Sequence, residues 1–520
     1  MVREFDISLR PAEAANDTLF RKGVARLGGY AMDEISHITV LRRSVDARRF
    51  PVWIRMRVRV YTHQDKPEPP LISSEFRNVS AGRRVVIAGT GPAGLFAALR
   101  LIEGGMKPIL LDRGKDVSER KRDIARLNRE HKVNPDSNYC FGEGGAGTFS
   151  DGKLYTRSSK RGNVRGVLEM MVLHGASPDI LVDTHPHIGS DRLLPMITGI
   201  RQTILNHGGE IHFGRRVTEI VTKSGLVTAF RDQYGDAHEG DAFILATGHS
   251  ARDIYRLFNN NGWPLEGKTF ALGVRVEHPQ ALINAIQYHA KKPDPLLPPA
   301  SYALTAQSGG HGVFSFCMCP GGLIVPSATE QNQVVVNGMS NSRRNSPFAN
   351  AGIVTEIKGD DLAAYRKHGS LAGIVFQEDV EQAMRIGGEL SQKVPAQRLP
   401  DFLRKSYSVN LPDSSYKPGM QSAALHDILP PHIVARLSDG FLQFEKKMRG
   451  FITGDAIITA TESRTSSPVR IPRDSSSMEY VALGNLYPCG EGAGYAGGIV
   501  SSAMDGENTA RVILSKYKLS

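Results

Sequence analysis

The sequence predicts an α/β chain in which a Rossmann-like domain on a parallel sheet is interrupted by an α+β domain and preceded by a small α+β domain. Three stretches carry that expectation. At 83–114, RRVVIAGTGPAGLFAALRLIEGGMKPILLDRG sets a strand, a glycine turn, an amphipathic helix and a second strand in register. At 243–248, Phe243, Ile244, Leu245 and Ala246 make a buried strand ending in Thr247 and Gly248. At 484–514, a short strand end, a Gly-acid turn and a glycine-led helix close the chain.

With 520 residues the chain is too long for one core and should hold two or three domains. We expect boundaries at 1–80, 81–264, 265–450 and 451–520, the second and fourth pieces forming one domain. No run of about eighteen apolar residues is present, so no membrane span is expected. The start, MVREFDISLR, lacks a signal-peptide core. Four cysteines, Cys140, Cys317, Cys319 and Cys489, give neither a disulfide framework nor a CxxC pair, which points to a reducing, cytoplasmic setting. A net charge of +11 suits anionic cofactors and substrates as well as nucleic acid, and cannot choose between them.

In chain order, 12–27 reads as a helix and 37–41 as a strand. Ile54, Met56, Val58 and Val60 alternate with Arg55, Arg57 and Arg59, a half-buried strand with a basic outer face. Seven arginines face one acid, Asp46, between 42 and 59. That face is either simply solvated or docks a phosphate-bearing partner. Pro67, Pro69 and Pro70 then exclude helix and ladder and mark a linker.

The glycine turn is the chemical core of the sequence. Gly89, Gly91 and Gly94 stand at GxGxxG spacing: one for the tight turn, one for close backbone approach, one for helix packing on strand. Pro92 takes a first helical position, where its missing N–H costs nothing. The free N–H groups and positive dipole end of that helix make an anion site suited to a dinucleotide pyrophosphate. Asp112, eighteen residues after Gly94 at the end of the second strand, is placed to accept from ribose hydroxyls. The alternative is an ordinary strand-to-helix turn.

FGEGGAGTFSDGKLYTR follows a charged helix at 117–131. It nearly imitates a Walker A loop through Gly147, Gly152 and Lys153, but Leu154 stands where a magnesium-binding Ser or Thr is needed. The loop could instead line an extended cofactor with backbone amides, Ser150, Asp151 and Lys153 adding polar contacts, or it could be a solvent loop. In THPHIGSD, His185 and His187 would share a strand face; two histidines with no third ligand suit packing better than metal. A helix at 193–206, a strand at 215–221 and a hairpin turning near Gly235 lead to the buried strand at 243–246.

Residues 265–450 lack this punctuation and are the candidate substrate domain. FCMCPGG, 316–322, stands out within them. A CxC pair closes a strained ring, so a redox relay is the lesser reading and a pocket wall the greater. A strand at 334–336 runs into a turn, and helices are expected at 377–386 and 396–403, the second shortened by Pro400. After the polar, basic stretch ESRTSSPVRIPRD, Gly490 and Glu491 make a turn, and Gly497 and Gly498 open a helix. A helix start with bare glycine backbone suits the N1 and C2 carbonyl edge of an isoalloxazine ring.

Together FGEGGAGTFSDGKLYTR, THPHIGSD, FSFCMCPGG, NGMSNS, ESRTSSPVRI and YPCGEGAGYAGGI, with GTGPAG and ATG, resemble two-dinucleotide-fold flavoproteins of the glutathione-reductase and hydroxybenzoate-hydroxylase type. More narrowly they resemble the uncharacterised FAD-dependent dehydrogenase family with an extra N-terminal domain. The resemblance implies FAD. Gly89, Gly91, Pro92, Ala93 and Gly94 would hold the pyrophosphate, and Asp112 and Arg113 would sit at the adenosine ribose. Val217 would lie against adenine, with Ala246, Thr247 and Gly248 near the adenosine half. Gly147, Ser150, Asp151 and Lys153 would add contacts, and Gly490, Glu491, Gly497, Gly498 and Ile499 would follow the ribityl chain and flavin. The broader class usually carries Asp where Glu491 stands.

The GxGxxG spacing recurs at 142–147 and 492–497, but neither copy lies between an apolar strand and a strand ending in an acid. A nicotinamide donor, NAD(P)H, would therefore bind transiently across the substrate domain, or electrons come from elsewhere. The expected activity is an FAD-dependent oxidoreductase acting on a small molecule. The rivals are a monooxygenase using NAD(P)H and oxygen, and a flavin-bearing nucleic-acid-binding or modification factor. Lys153, Cys317, Cys319 and Arg464 are the candidate catalytic side chains.

Overall fold

The computed structural model describes residues 2–67, 72–156, 160 and 162–518. Pro69 and Pro70 of the expected linker and Arg157 of the second glycine loop lie outside the described residues.

The N-terminal residues form a three-stranded antiparallel sheet with Trp53–Thr62 between Arg3–Leu9 and Ile35–Asp46. Its apolar residues, Ile54, Met56, Val58 and Val60, are buried. The expected single helix is two, Pro11–Ala15 and Asp17–Gly28, because Asn16 caps the second by accepting from the Leu19 N–H at 3.0 Å. The strand Ile35–Asp46 reaches further than expected and docks on the rest of the chain. The Arg43 N–H donates to Val182 O at 2.8 Å, and Thr184 N–H donates to Arg43 O at 2.9 Å.

Five parallel strands make the second sheet, in the order Leu486–Pro488, Ala242–Leu245, Arg84–Ala88, Lys107–Asp112 and Glu210–Phe213. The unbroken apolar run from Val85 to Ala88 follows from burial on both faces. Val85 and Ile87 pack against the helices Pro92–Glu103, Ser190–Asn206 and Ile499–Lys518, while Val86 and Ala88 pack against a three-stranded sheet and the helix Arg252–Asn260. Glycine lets the first and last helices close: a Cβ on Gly506 would lie 2.1 Å from Ala93 O.

The third sheet has seven strands, with Phe348–Ile357, Phe270–Pro279 and Ile457–Glu462 at its centre, each of these three antiparallel to its neighbour among them. Helices Ala372–Gly387 and Pro431–Lys447 cover it. Two sequence expectations change here. Ile457–Glu462 pairs with Phe270–Pro279, so the chain stays in this sheet beyond 450 and leaves it only after Glu462. The helix expected at 396–403 is a strand, Val394–Arg398, followed by a helix, Leu399–Arg404. Pro400 begins that helix instead of breaking it, because a first-turn N–H has no intrahelical partner to lose.

Candidate active site

The first glycine turn is built by steric exclusion. Gly89 has φ +106°, and a Cβ there would lie 2.3 Å from Ala246 O. A Cβ on Gly94 would lie 2.0 Å from Gly89 O, so only glycine lets the helix seat on the strand. Gly91 differs: its φ of −72° suits any residue, and only Gly145 Cα, at 3.9 Å, would approach its Cβ. No side chain caps this helix start, leaving its early N–H groups free to meet an anion.

Asp112 braces the turn. It accepts from the Thr90 N–H at 2.9 Å and the Thr90 hydroxyl at 2.5 Å on one oxygen, and from the Gly114 N–H at 2.8 Å on the other. A carboxylate has about four acceptor positions, so capacity for a ribose hydroxyl remains. Arg113 stacks its guanidinium 4.2 Å from the centre of the Phe141 ring and pairs with Asp136 and Asp253, both at 3.0 Å.

The second glycine loop wedges between the two helix starts. Gly144 N–H donates to Thr90 O at 2.9 Å. A Cβ on Gly145 would stand 3.2 Å from Gly91 Cα, and one on Gly147 would stand 3.2 Å from Ile499 Cγ1. Ser150 holds the loop's own shape, donating to Gly147 O at 2.7 Å. Asp151 is buried and accepts from Arg344 at 3.0 and 2.6 Å and from the Ser340 hydroxyl. Burial raises its pKa, but Lys153 and Arg344 outweigh that and hold it below the usual carboxylate value.

At the far end of the chain Gly490 has φ +75°, and its N–H donates to Asp505 at 2.7 Å, the carboxylate that Arg473 grips with two hydrogen bonds. The last helix starts at Ile499, directly after Gly497 and Gly498. Nothing lies within 4 Å of a Cβ placed on Gly497, and only Ser501 Oγ reaches one on Gly498, at 4.0 Å.

These pieces enclose one cavity of about 370 Å³. Gly89, Gly91, Pro92, Ala93, Asp112, Arg113, Gly147, Ser150, Asp151, Lys153, Val217, Ala246, Thr247, Gly248, Glu491, Gly497, Gly498 and Ile499 all line it. Gly94 and Gly490 do not line it and instead pack the turns that do, a Cβ on Gly490 falling 2.9 Å from Ala93 Cβ. Asp253, paired with Arg113, lines it as well. Lys153, Phe316 and Cys317 mark a wall supplied by the seven-stranded sheet and the second glycine loop.

The catalytic candidates separate. Lys153 and Cys317 line the cavity; Cys319 and Arg464 do not. Cys319 is sealed in the interior. Arg464 is buried against Glu381 at 2.9 Å, with Thr329 and Gln333, in a cluster that Arg252 completes at 2.8 Å. Its side chain is thus spent on structure, and only its carbonyl approaches the site by accepting from His249 Nε2 at 2.9 Å. That bond fixes the tautomer, so the Ser250 hydroxyl donates to His249 Nδ1 at 3.1 Å. His249, Phe141 and Phe316 line the cavity without having been singled out as contacts. His249 directly follows the ATG strand end, which was signal enough to find it.

The two remaining motifs find other roles. His185 rests on Tyr155, ring centres 5.1 Å apart, and His187 Nε2 donates to Ser342 O at 3.3 Å; the segment forms only an isolated bridge from His187 to Lys153, not a strand. Among the described residues no group of three or more His, Cys, Asp or Glu could hold a metal. Along the basic strand, Arg57 and Arg59 pair with Glu4, Arg48 and Arg55 with Asp46, and Arg43 with Asp179 and Asp183. Five of the seven arginines are therefore ion-paired, which weakens this face as a phosphate reader.

A family described as "FAD-dependent protein, C-terminal domain-like" matches residues 269–465, and one described as a domain of unknown function matches residues 1–61. An uncharacterised protein of Clostridium beijerinckii is 36% identical over 521 residues, covering 96% of each chain. The chain belongs to one family with that protein. Membership rests on 96% of the chain, and FAD is the cofactor. The uncapped helix start and the glycine-walled cavity fit that cofactor.

Among solved structures, the family member described here is similar to CtdE in complex with FAD, at 11% identity over 84% of this chain and 85% of that one, TM-score 0.36. It is also similar to a mutant of the halogenase PltM in complex with FAD, at 10% identity over 84% and 70%, TM-score 0.41. At those scores the likeness carries no argument, and the Rossmann-like assignment stands on the parallel sheet and its glycine turn. Among the described residues no helix is long and apolar enough to cross a membrane.

Proposed function

We propose that this protein is an FAD-dependent oxidoreductase that passes a hydride or electron pair between the bound cofactor and a small molecule. One observation carries the reading: two helix starts from opposite ends of the chain, at Gly91 and at Gly498, open into a single cavity. Backbone amides at the first would hold the pyrophosphate, with Asp112 at the adenosine ribose and Val217 against adenine. Glu491, on the turn that Gly490 packs, would follow the ribityl chain. Amides and dipole at Gly497, Gly498 and Ile499 would favour negative charge at the ring's N1 and C2 edge.

Bound there, FAD supplies two-electron transfer. The chain's own contribution is to orient the ring, exclude water with Phe316 and Ile499, and place the Lys153 ammonium at the wall where substrate would enter. A nicotinamide donor would bind transiently, since neither further GxGxxG copy sits between an apolar strand and an acid-ended strand: the 142–147 copy is the wedge between helix starts.

The test is the visible spectrum of the purified protein and the mass of the cofactor it releases, followed by photoreduction and reoxidation with oxygen, a quinone and a nicotinamide. A yellow protein releasing FAD and reoxidised by one acceptor supports the reading. Oxygen consumption coupled to NAD(P)H and product would move it to a monooxygenase. Colourless protein that refuses FAD overturns it.

A further inference from the structure

Cys317 sits in a strained corner of the cavity wall. Phe316 pairs with Gly352 and Cys319 with Asn350, so Cys317 and Met318 together oppose Ala351 in a β-bulge. Cys317 has φ +43°, a left-handed conformation uncommon for a cysteine. Bulges and strained residues of this kind cluster beside functional sites because they re-aim a side chain. Of the four cysteines, Cys140, Cys319 and Cys489 are buried, and Cys317 alone is half-buried.

The charges around it do not balance. Arg275 is matched by Glu462 at 2.8 Å, and Arg344 by Asp151 at 2.6 Å. Lys153 is left over: its ammonium donates to Met318 O, next to Cys317 in the chain, and its nearest carboxylate, already engaged by Arg344, is 3.9 Å away. Burial pushes Glu462 up to about 7 against the pull of Arg275, and any protonation of it widens the excess of positive charge. Arg275 also donates to Cys317 O at 2.8 Å.

We propose that Cys317, beside Lys153 in the cavity wall, is the residue of this cavity that bonds covalently to a soft electrophilic centre, carbon or sulfur, of a bound small molecule. Interaction with the Cys319 thiol, whose Sγ donates to Cys317 O at 3.3 Å, and the charges of Lys153 and Arg275 hold the Cys317 thiol well below its ordinary value, while Cys319 is pushed up. With a carbon electrophile such as iodoacetamide, an S–C bond forms, the C–I bond breaks and iodide leaves. With a disulfide, Cys317 Sγ bonds to one sulfur and the other departs as thiolate, so the Cys317 sulfur is oxidised and the departing one reduced. The inference deepens the assignment of this wall to substrate and rests on it.

The test exposes the full-length, FAD-loaded protein to iodoacetamide and, separately, to glutathione disulfide from about pH 5 to about pH 10, against an ordinary cysteine midpoint of about 8.5. Mass spectrometry locates the adduct. Cys317 is expected to react first among the four, with a midpoint below the ordinary one. Lys153→Met should raise that midpoint and slow the reaction near pH 7 by about tenfold. Reaction with only one probe assigns carbon or sulfur. A Cys317 midpoint at or above the ordinary value, adducts appearing first elsewhere, or a Lys153→Met profile unchanged in a variant that keeps its FAD would each overturn the proposal. Should Lys153→Met lose its fold, the wild-type profile and the loss of the fast adduct in Cys317→Ser decide. A yellow protein with a sluggish Cys317 sinks the thiolate alone; a colourless one with a fast Cys317 sinks the cofactor placement alone.

Discussion

Gly91→Ala and Gly94→Ala separate cofactor binding from folding within one turn. At Gly91 the backbone is ordinary, φ −72° and ψ −179°, and the new methyl would meet only Gly145 Cα at 3.9 Å. Two small stability terms oppose each other there. Removing glycine's freedom from the unfolded chain gains about 0.4–1 kcal/mol. Alanine is the poorer helix cap by about 0.5–1 kcal/mol. The net is about zero, so the melting temperature should stay within a few degrees. The methyl does intrude where a pyrophosphate oxygen would meet backbone, and losing one charge-assisted hydrogen bond there costs about 1.5–3 kcal/mol. That is a rise in Kd for FAD of about tenfold to a hundredfold. At Gly94 the methyl would fall 2.0 Å from Gly89 O, where about 3.3 Å is the closest ordinary C···O approach. Helix and strand must then part, costing about 1–3 kcal/mol or more in stability as well as binding. Titration of FAD into each cofactor-free variant, beside thermal melts, reads both quantities. If Gly91→Ala binds FAD as tightly as the parent, the first helix start is not the pyrophosphate site.

Glu381→Gln should destabilise the chain by about 3–5 kcal/mol in a urea titration, because it leaves the Arg252 and Arg464 guanidiniums buried without their shared carboxylate. Flavin content under native conditions should survive, which distinguishes Arg464 as structural from Arg464 as catalytic. Asp151 is held below the ordinary carboxylate value, so its contribution is present above that value and lost as pH falls through the folded one. Melting temperatures measured between about pH 3 and about pH 6 should fall less steeply toward acid in Asp151→Asn than in the parent.

Some of this molecule is written in short stretches of chain. The run from Val85 to Ala88 shows a strand buried on both faces, and Gly89, Gly91 and Gly94 show the turn after it, because each depends on neighbours a few residues away. Alternation of arginine with apolar residues likewise places Trp53–Thr62 with its apolar side inward. Where propensity is ambivalent the stretch alone misleads. Residues 396–403 read as helix, yet the first three belong to a strand, Val394–Arg398, that pairs with Ile457–Glu462, a partner about sixty residues away that no local pattern can reveal.

The candidate site divides along the same line. Glycine spacing identifies a cofactor and much of the wall around it, since a bare backbone near a phosphate leaves a mark on composition. The fold decides what the polar side chains do. Arg464 is taken up by Glu381, 83 residues earlier, and Lys153 meets Met318 across 165 residues. The second glycine loop acts as a wedge only because two helix starts, joined through some 400 residues of chain, close on it from either side. Charge pairing and steric contact act through space at a few ångströms, so they belong to whichever segments the folded sheets bring together.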